Sequence, residues 1–364
     1  MAAPLAAQTA ANPKYEWVDH LYPYVSYSSV DGFWGAGHYD WSIPMGFAER
    51  PEPNIGRIAF DAGASTKGSY LLTADAQFPA YWDGWRFGLT VGLVRANRLG
   101  YYGQGNSTTY DHDSTTAPDR SYFYRVSRKT GGARLTVQRR VAGPLRVLVG
   151  GSLQRTAFRT LPGVNLYQRD SVAPFNDAVA RAGIVFDSRD LEADPHRGIF
   201  AEALVGRGRG YTRTTAAVRA YVHPLERLIL AARVAGEKMT GTPPLAAQQT
   251  MESSEGPLVA VGGSRSLRGY YDGRFVGPGK LVAGVEARYG VIWAPRLLEV
   301  KLFGFYDAGR VFGPGEVVHL TRQALHSAWG GGVAAALMRN TVMTFFVGKG
   351  TEGALVSFAT TWSY

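Results

Sequence analysis

The sequence predicts an all-β fold, a sixteen-stranded antiparallel transmembrane β-barrel, and three observations carry that reading. Apolar and polar residues alternate with period two in segment after segment, where a helix would mix the two sets. The polar face of those segments holds glycine, arginine, glutamate and aspartate, which the packed interior of a soluble sandwich would not hide. Short connections at one rim face long ones at the other. Composition agrees: with 45 glycines, 20 tyrosines and only 19% charged residues in 364, the chain is rich in sheet and turn and is not a disordered tail.

In chain order, residues 1–21 read as an N-terminal lead, disordered or processed. Met1 to Asn12 is alanine-rich but lacks the basic and strongly apolar regions of a signal peptide. Residues 22–364 read as the barrel. Its strands fall at roughly 22–29, 33–43, 55–64, 69–79, 84–97, 121–140, 144–157, 176–188, 198–208, 213–223, 227–238, 279–293, 297–312, 327–338, 341–349 and 354–364. The fifth sets Trp85, Phe87, Leu89, Val91 and Leu93 against Arg86, Gly88, Thr90 and Gly92. The twelfth sets Leu281, Ala283, Val285, Ala287, Tyr289 and Val291 against Gly284, Glu286, Arg288 and Gly290. Ala142-Gly143-Pro144 and Arg339-Asn340 are tight turns, whereas 100–120, 159–175, 313–326 and above all 239–278 are long. The last strand alternates Val356, Phe358, Thr360, Trp362 and Tyr364. Phe358, Trp362 and Tyr364 together look like the carboxyl-terminal assembly signal of outer-membrane barrels, and also like an interfacial aromatic girdle. The first strand holds Pro23, which cannot donate to a ladder, so its pairing with 355–364 is expected to be weak.

Charge and motifs exclude several function classes. The formal net charge of +10 comes from cations scattered along apolar segments, not clustered as in a nucleic-acid binder. Anionic lipid or acidic solutes are the better partners for it. There is no cysteine, so disulfides and thiolate chemistry are absent. Asp111-His112-Asp113 sits in a Ser/Thr-rich loop and reads as solvated, not as a metal site. Gly206-x-Gly208-x-Gly210 opens no helix. Neither a cofactor nor an enzymatic activity is expected.

Four segments carry a family resemblance. They are Gly262-Gly263-Ser264-Arg265-Ser266-Leu267-Arg268-Gly269-Tyr270 in the longest loop, Phe303-Gly304-Phe305-Tyr306-Asp307-Ala308-Gly309, Asp187-Ser188-Arg189-Asp190 with Pro195 and Gly198 beyond it, and Gly284-Val285-Glu286-Ala287-Arg288. In this order they resemble the outer membrane protein 85 superfamily of BamA/TamA-like bacterial surface antigens. Leu267 stands where the loop motif has valine. The resemblance implies that the long loop, taken as extracellular, folds into the lumen. There Arg268, Gly269 and Tyr270 would be anchored on Asp307 and Glu286, a guanidinium fork matching a carboxylate in a way lysine cannot. Gly262, Gly263, Gly309, Asp187 and Arg189 would support the motif. Periplasmic POTRA domains find no room before the first strand, so a barrel-only member is expected.

The function this implies is assistance, at the bacterial outer membrane, to the insertion or translocation of proteins or lipids through a lateral seam. The partners would be outer-membrane lipid and client outer-membrane or secreted proteins. Two alternatives stand beside it: a passive channel favouring anionic solutes, and an accessory barrel served by a separate periplasmic partner.

Overall fold

The computed structural model describes residues 16–28, 30–45, 51–294, 297–337 and 341–363. They form one sixteen-stranded antiparallel sheet in which every strand pairs with its neighbours in sequence. The strands are β1 (Val18–Ser28), β2 (Gly32–Pro44), β3 (Asn54–Ser65), β4 (Tyr70–Trp82), β5 (Trp85–Gly100), β6 (Arg125–Ala142), β7 (Leu145–Thr160) and β8 (Phe175–Asp187). They continue as β9 (Gly198–Gly208), β10 (Tyr211–Leu225), β11 (Leu228–Gly241), β12 (Gly279–Ala294), β13 (Leu298–Phe312), β14 (His326–Leu337), β15 (Thr341–Gly350) and β16 (Gly353–Ala359).

Register places the two faces as the alternation requires. In β12 and β13, Glu286 lies opposite Phe305 and Gly284 opposite Asp307, so the carboxylates point to one side of the sheet. That inner side is buried. The other side is apolar and bare: Val285 is 55% exposed, Phe345 54% and Val356 66%. Such a surface is stable against hydrocarbon and aggregates in water.

The sheet curves round the β11–β12 connection. This segment carries a short helix, α1 (Leu245–Gln248), and a two-residue ladder between Thr250–Met251 and Leu258–Val259. Above it an aromatic cluster of Tyr101, Tyr102, Tyr124, Phe158 and Tyr167 joins the long connections after β5 and β7.

Several boundaries differ from the sequence reading. The first strand starts at Val18, four residues inside what was read as lead; Ser29 and residues 1–15 lie outside the described residues. The sixth starts at Arg125, because residues 118–120 form a 3-10 turn and Phe123 stacks edge-on against Tyr124. The sixteenth stops at Ala359. Thr360 to Ser363 leave the ladder and turn to the inner side, where Trp362 is 1% exposed. Ladder pairing of β11 continues to Gly241, which shortens the long connection to 242–278.

Candidate functional site

The inner loop is held chiefly by charge. Arg268 is the centre of its far half. Its Nε and Nη2 donate to the two oxygens of Asp307 at 2.7 and 3.0 Å, and its backbone N–H adds a third bond at 3.2 Å. Nη1 reaches Glu286, whose other oxygen accepts from Arg288 Nε at 2.7 Å. The guanidinium lies 3.6 Å over the Phe305 ring. Both carboxylates are fully buried, and the paired guanidinium groups offset the cost of keeping them away from water.

Glycine sets how close the loop comes to the wall. A Cβ on Gly269 would stand 2.5 Å from the Gly350 nitrogen, and one on Gly348 would stand 1.8 Å from the Arg268 carbonyl oxygen. Backbone therefore lies on backbone here, which no side chain permits. Gly262 and Gly263 take φ of 114° and 96°, bending the chain so that Ser266 Oγ bonds the Gly262 carbonyl at 2.7 Å. Tyr270 is buried and its hydroxyl meets Thr351 Oγ1 at 2.9 Å. A Cβ on Gly309 would press on Val261 of the loop at 3.0 Å.

A second anchor was not foreseen from the sequence. Glu237 on β11 accepts from Arg213 Nη2, Lys280 Nζ and Thr215 Oγ1, and from the backbone N–H of Glu252 in the loop, all at 2.7–2.8 Å. Arg134 of β6 reaches across to Glu252 and to the Ser253 carbonyl. The signal was present: Arg213, Glu237 and Lys280 occupy inner positions on three successive strands. Asp187 and Arg189 form a third anchor. Arg189 takes both Asp187 oxygens, at 2.9 and 2.8 Å, and its Nη2 also donates to Glu255 of the loop at 2.7 Å. Burial opposes ionisation of Glu255, yet Arg189 and Arg219 hold its carboxyl well below the usual carboxylate range.

The turned-in segment after β16 meets this system. Trp362 Nε1 donates to Asp194 Oδ1 at 2.7 Å, its ring lies 3.6 Å beneath the Arg288 guanidinium, and Phe303 packs edge-on. Ser363 Oγ bonds the Ser264 carbonyl at 2.6 Å. Trp362 thus leaves the outer face on which the alternation put it, while Phe358 stays there, 63% exposed. Tyr364 lies outside the described residues. Around Asp194, the side chains of Asp194, His196 and Glu299 bring ligand-type atoms within 4.8 Å of one another. Lys301 Nζ sits among them, bonded to Asp194, 2.8 Å from Glu299 and 3.2 Å from His196. An ammonium fills the place a metal cation would take.

The opposite half of the inner face is different in kind. Between β3–β8 and the loop lies a cavity of about 790 Å³. Its wall on β4–β7 is largely uncharged and hydrophilic, including Thr73, Gln77, Thr90, Thr130, Gln138 and Gln154, with Arg128 and Arg134 at its loop side.

A family model described as the Omp85 superfamily domain matches residues 60–340. Among solved structures, BamA from Haemophilus ducreyi lacking POTRA domains 1–3 is similar, at 14% identity over 94% of this chain and 69% of that one, with a TM-score of 0.58. CdiB from Escherichia coli aligns at 11% identity over 94% of this chain, with a TM-score of 0.58. CdiB from Acinetobacter baumannii aligns at 11% over 95%, with a TM-score of 0.52. This chain spans 60% and 65% of those two CdiB chains. At these identities the likeness is one of fold. No curated protein matches significantly in sequence.

Proposed function

The chain belongs to the Omp85 superfamily of bacterial outer-membrane proteins, which transport and assemble and are not enzymes, and on that premise we propose that it assists insertion or translocation of proteins, or of lipids, through a lateral seam. The sheet closes into a barrel by bringing β1 to β16, with the inner loop inside the lumen and Arg268, Asp307 and Glu286 as its anchor. The observation that carries the reading is the state of that joint. Neighbouring strands are paired in sequence order along the whole sheet, whereas β16 is the shortest of the sixteen strands and gives up its last residues to the inner side. Client outer-membrane or secreted polypeptides are the partners this implies. Phe358 on the outer face, with Trp362 and Tyr364 after it, belongs to the signal by which the chain itself is assembled.

Because the chain has no cysteine, the seam can be locked by one introduced pair, Val25→Cys with Val356→Cys. The chain is reconstituted in phosphatidylcholine vesicles and presented with a urea-unfolded outer-membrane barrel protein. Locking should abolish the acceleration of client insertion, and reduction should restore it. A passive channel is the second reading, favoured by the hydrophilic cavity beside the loop. If locking leaves insertion untouched while ions still pass, the channel reading replaces the seam.

A further inference from the structure

On the inner face, Arg268, Arg288, Arg213, Arg189 and Lys280 all meet a carboxylate. The outer face follows another rule. Along β5 to β11 its positions are apolar or small through the middle of every strand, and none is aspartate or glutamate. Cations appear there at the long-connection end. Arg95 pairs across the ladder with Lys129, and Lys129 faces Ala157, which is flanked on the same side by Arg155 and Arg159. Further round the sheet, Arg207 stands one residue before the end of β9, Arg209 follows in the turn and Lys238 stands opposite Thr214.

Lys129, Arg155, Arg159, Arg207 and Arg209 are exposed, and Arg95 and Lys238 are half-buried. Their hydrogen bonds go to neutral groups: Arg95 to Asn97, Arg155 to Asn176, Arg207 to Thr212. Among the described residues none of the seven forms an ion pair with a carboxylate. On β7 the sequence of depths is plain: Val147, Val149 and Leu153 make an apolar wall, and Arg155 and Arg159 begin where it ends. That border is where the phosphates of a bilayer lie.

We infer that the outer face of β5–β11, at its long-connection end, is a docking belt for the phosphate groups of anionic membrane lipids. It rests on the reading that the apolar outer face meets hydrocarbon. The belt holds cations in close sets, Arg95 with Lys129 and Arg207 with Arg209, so a headgroup carrying two phosphates fits it better than one carrying a single phosphate. Unpaired guanidinium groups offer each phosphate two parallel donors.

The test uses the full chain in nanodiscs of phosphatidylcholine containing phosphatidylglycerol or cardiolipin. Lipid retained after extraction into detergent is counted by native mass spectrometry. The wild type should retain cardiolipin over phosphatidylglycerol, and both over phosphatidylcholine. Arg155→Gln/Arg159→Gln and Arg207→Gln/Arg209→Gln should each weaken retention about tenfold or more. Arg139→Gln/Arg140→Gln, at the short-turn end, should leave it unchanged. Retention without preference for charge, or equal loss in the short-turn variant, overturns the belt. So does complete displacement by inorganic phosphate, which would make the ligand a soluble anion. A chain that does not enter nanodiscs at all would instead sink the membrane reading, and gel mobility with and without heating shows whether each variant is folded.

Discussion

Arg233 of β11 donates to the carbonyl oxygen of Ser363 at 2.7 Å, while the same Nη1 atom donates to the carbonyl of Arg265 at 2.8 Å. One guanidinium thus ties the segment beyond the last strand to the tip of the inner loop. Whatever draws residues 360–363 back into line with β16 must break this bond and the one between Ser363 and Ser264.

Trp362 and Asp194 should decide how firmly that segment is held. A Ser264→Cys/Ser363→Cys pair should form a disulfide readily in the native protein. Trp362→Ala removes a fully buried ring, a change that costs about 3–5 kcal/mol in a packed site. Asp194→Asn leaves the ring but weakens its hydrogen bond and leaves Lys301 with Glu299 as its carboxylate partner. Both should lower the cross-linking yield, the first more than the second. An unchanged yield in both variants would mean that the segment is held by its backbone alone.

Arg268→Ala should free the far half of the loop. It leaves Asp307 and Glu286 buried with fewer cations, and breaking a buried pair from one side costs about 3–5 kcal/mol. Limited proteolysis should then cut within 262–275 while the heat-modifiable barrel band persists. Arg268→Lys should not rescue, since one ammonium cannot span both carboxylates. Equal protease resistance in Arg268→Ala and Asp307→Ala would remove the anchor from consideration.

Gly269→Ala is expected to act like a much larger substitution. Its Cβ would meet the Gly350 nitrogen and the Lys349 carbonyl carbon, and backbone cannot step aside as a side-chain tip can. Proteolysis should report the same loop release as Arg268→Ala. Gly256→Ala meets nothing within 4 Å, and although its φ of 116° adds local strain, it should leave the loop docked.

The β8–β9 connection should weaken in alkali. Burial disfavours the charged form of His196, but bonds to Asp194 and Glu299 outweigh it and raise its pKa to about 9. A folded-state pKa above the unfolded value of about 6.5 stabilises fully below that value and is lost as pH rises through 9. Hydrogen-exchange protection over 188–197, corrected for the intrinsic rise of amide exchange with pH, should therefore fall between roughly pH 7 and 10. His196→Gln should flatten that dependence; a dependence identical to the wild type's would place the titration elsewhere.

The strands were legible because lipid on one side and charge on the other impose period two directly on the sequence, as in β12 and β13. The anchor was partly legible: Asp307 and Glu286 fall on inner positions, but only resemblance pointed to Arg268, which comes from an irregular loop. Alternation failed at Thr360 to Ser363. Trp362 continues the outer pattern, yet Asp194 and Arg288, both distant in sequence, offer its indole N–H an acceptor and its ring a cation, and those contacts win. The Glu237 cluster was missed because pairing across strands needs register as well as facing.

The polar grip on the inner loop comes from β6 onward, through Arg128, Glu202, Arg213, Glu237, Glu286 and Asp307 to Glu352 after β15, whose carboxylate holds Arg274. The flank from β3 to β5 borders the cavity instead. Mechanically the wall from β6 onward is the stiffer part, and the β3–β5 flank, tied to the β8–β9 connection through Arg86 and Glu192 but, among the described residues, not to the loop, is the part that a load on the first strands bends first. The change from one part to the other falls near β5 and β6, where the proposed cation belt begins, so lipid bound to that belt would rest on the stiffer side of the wall.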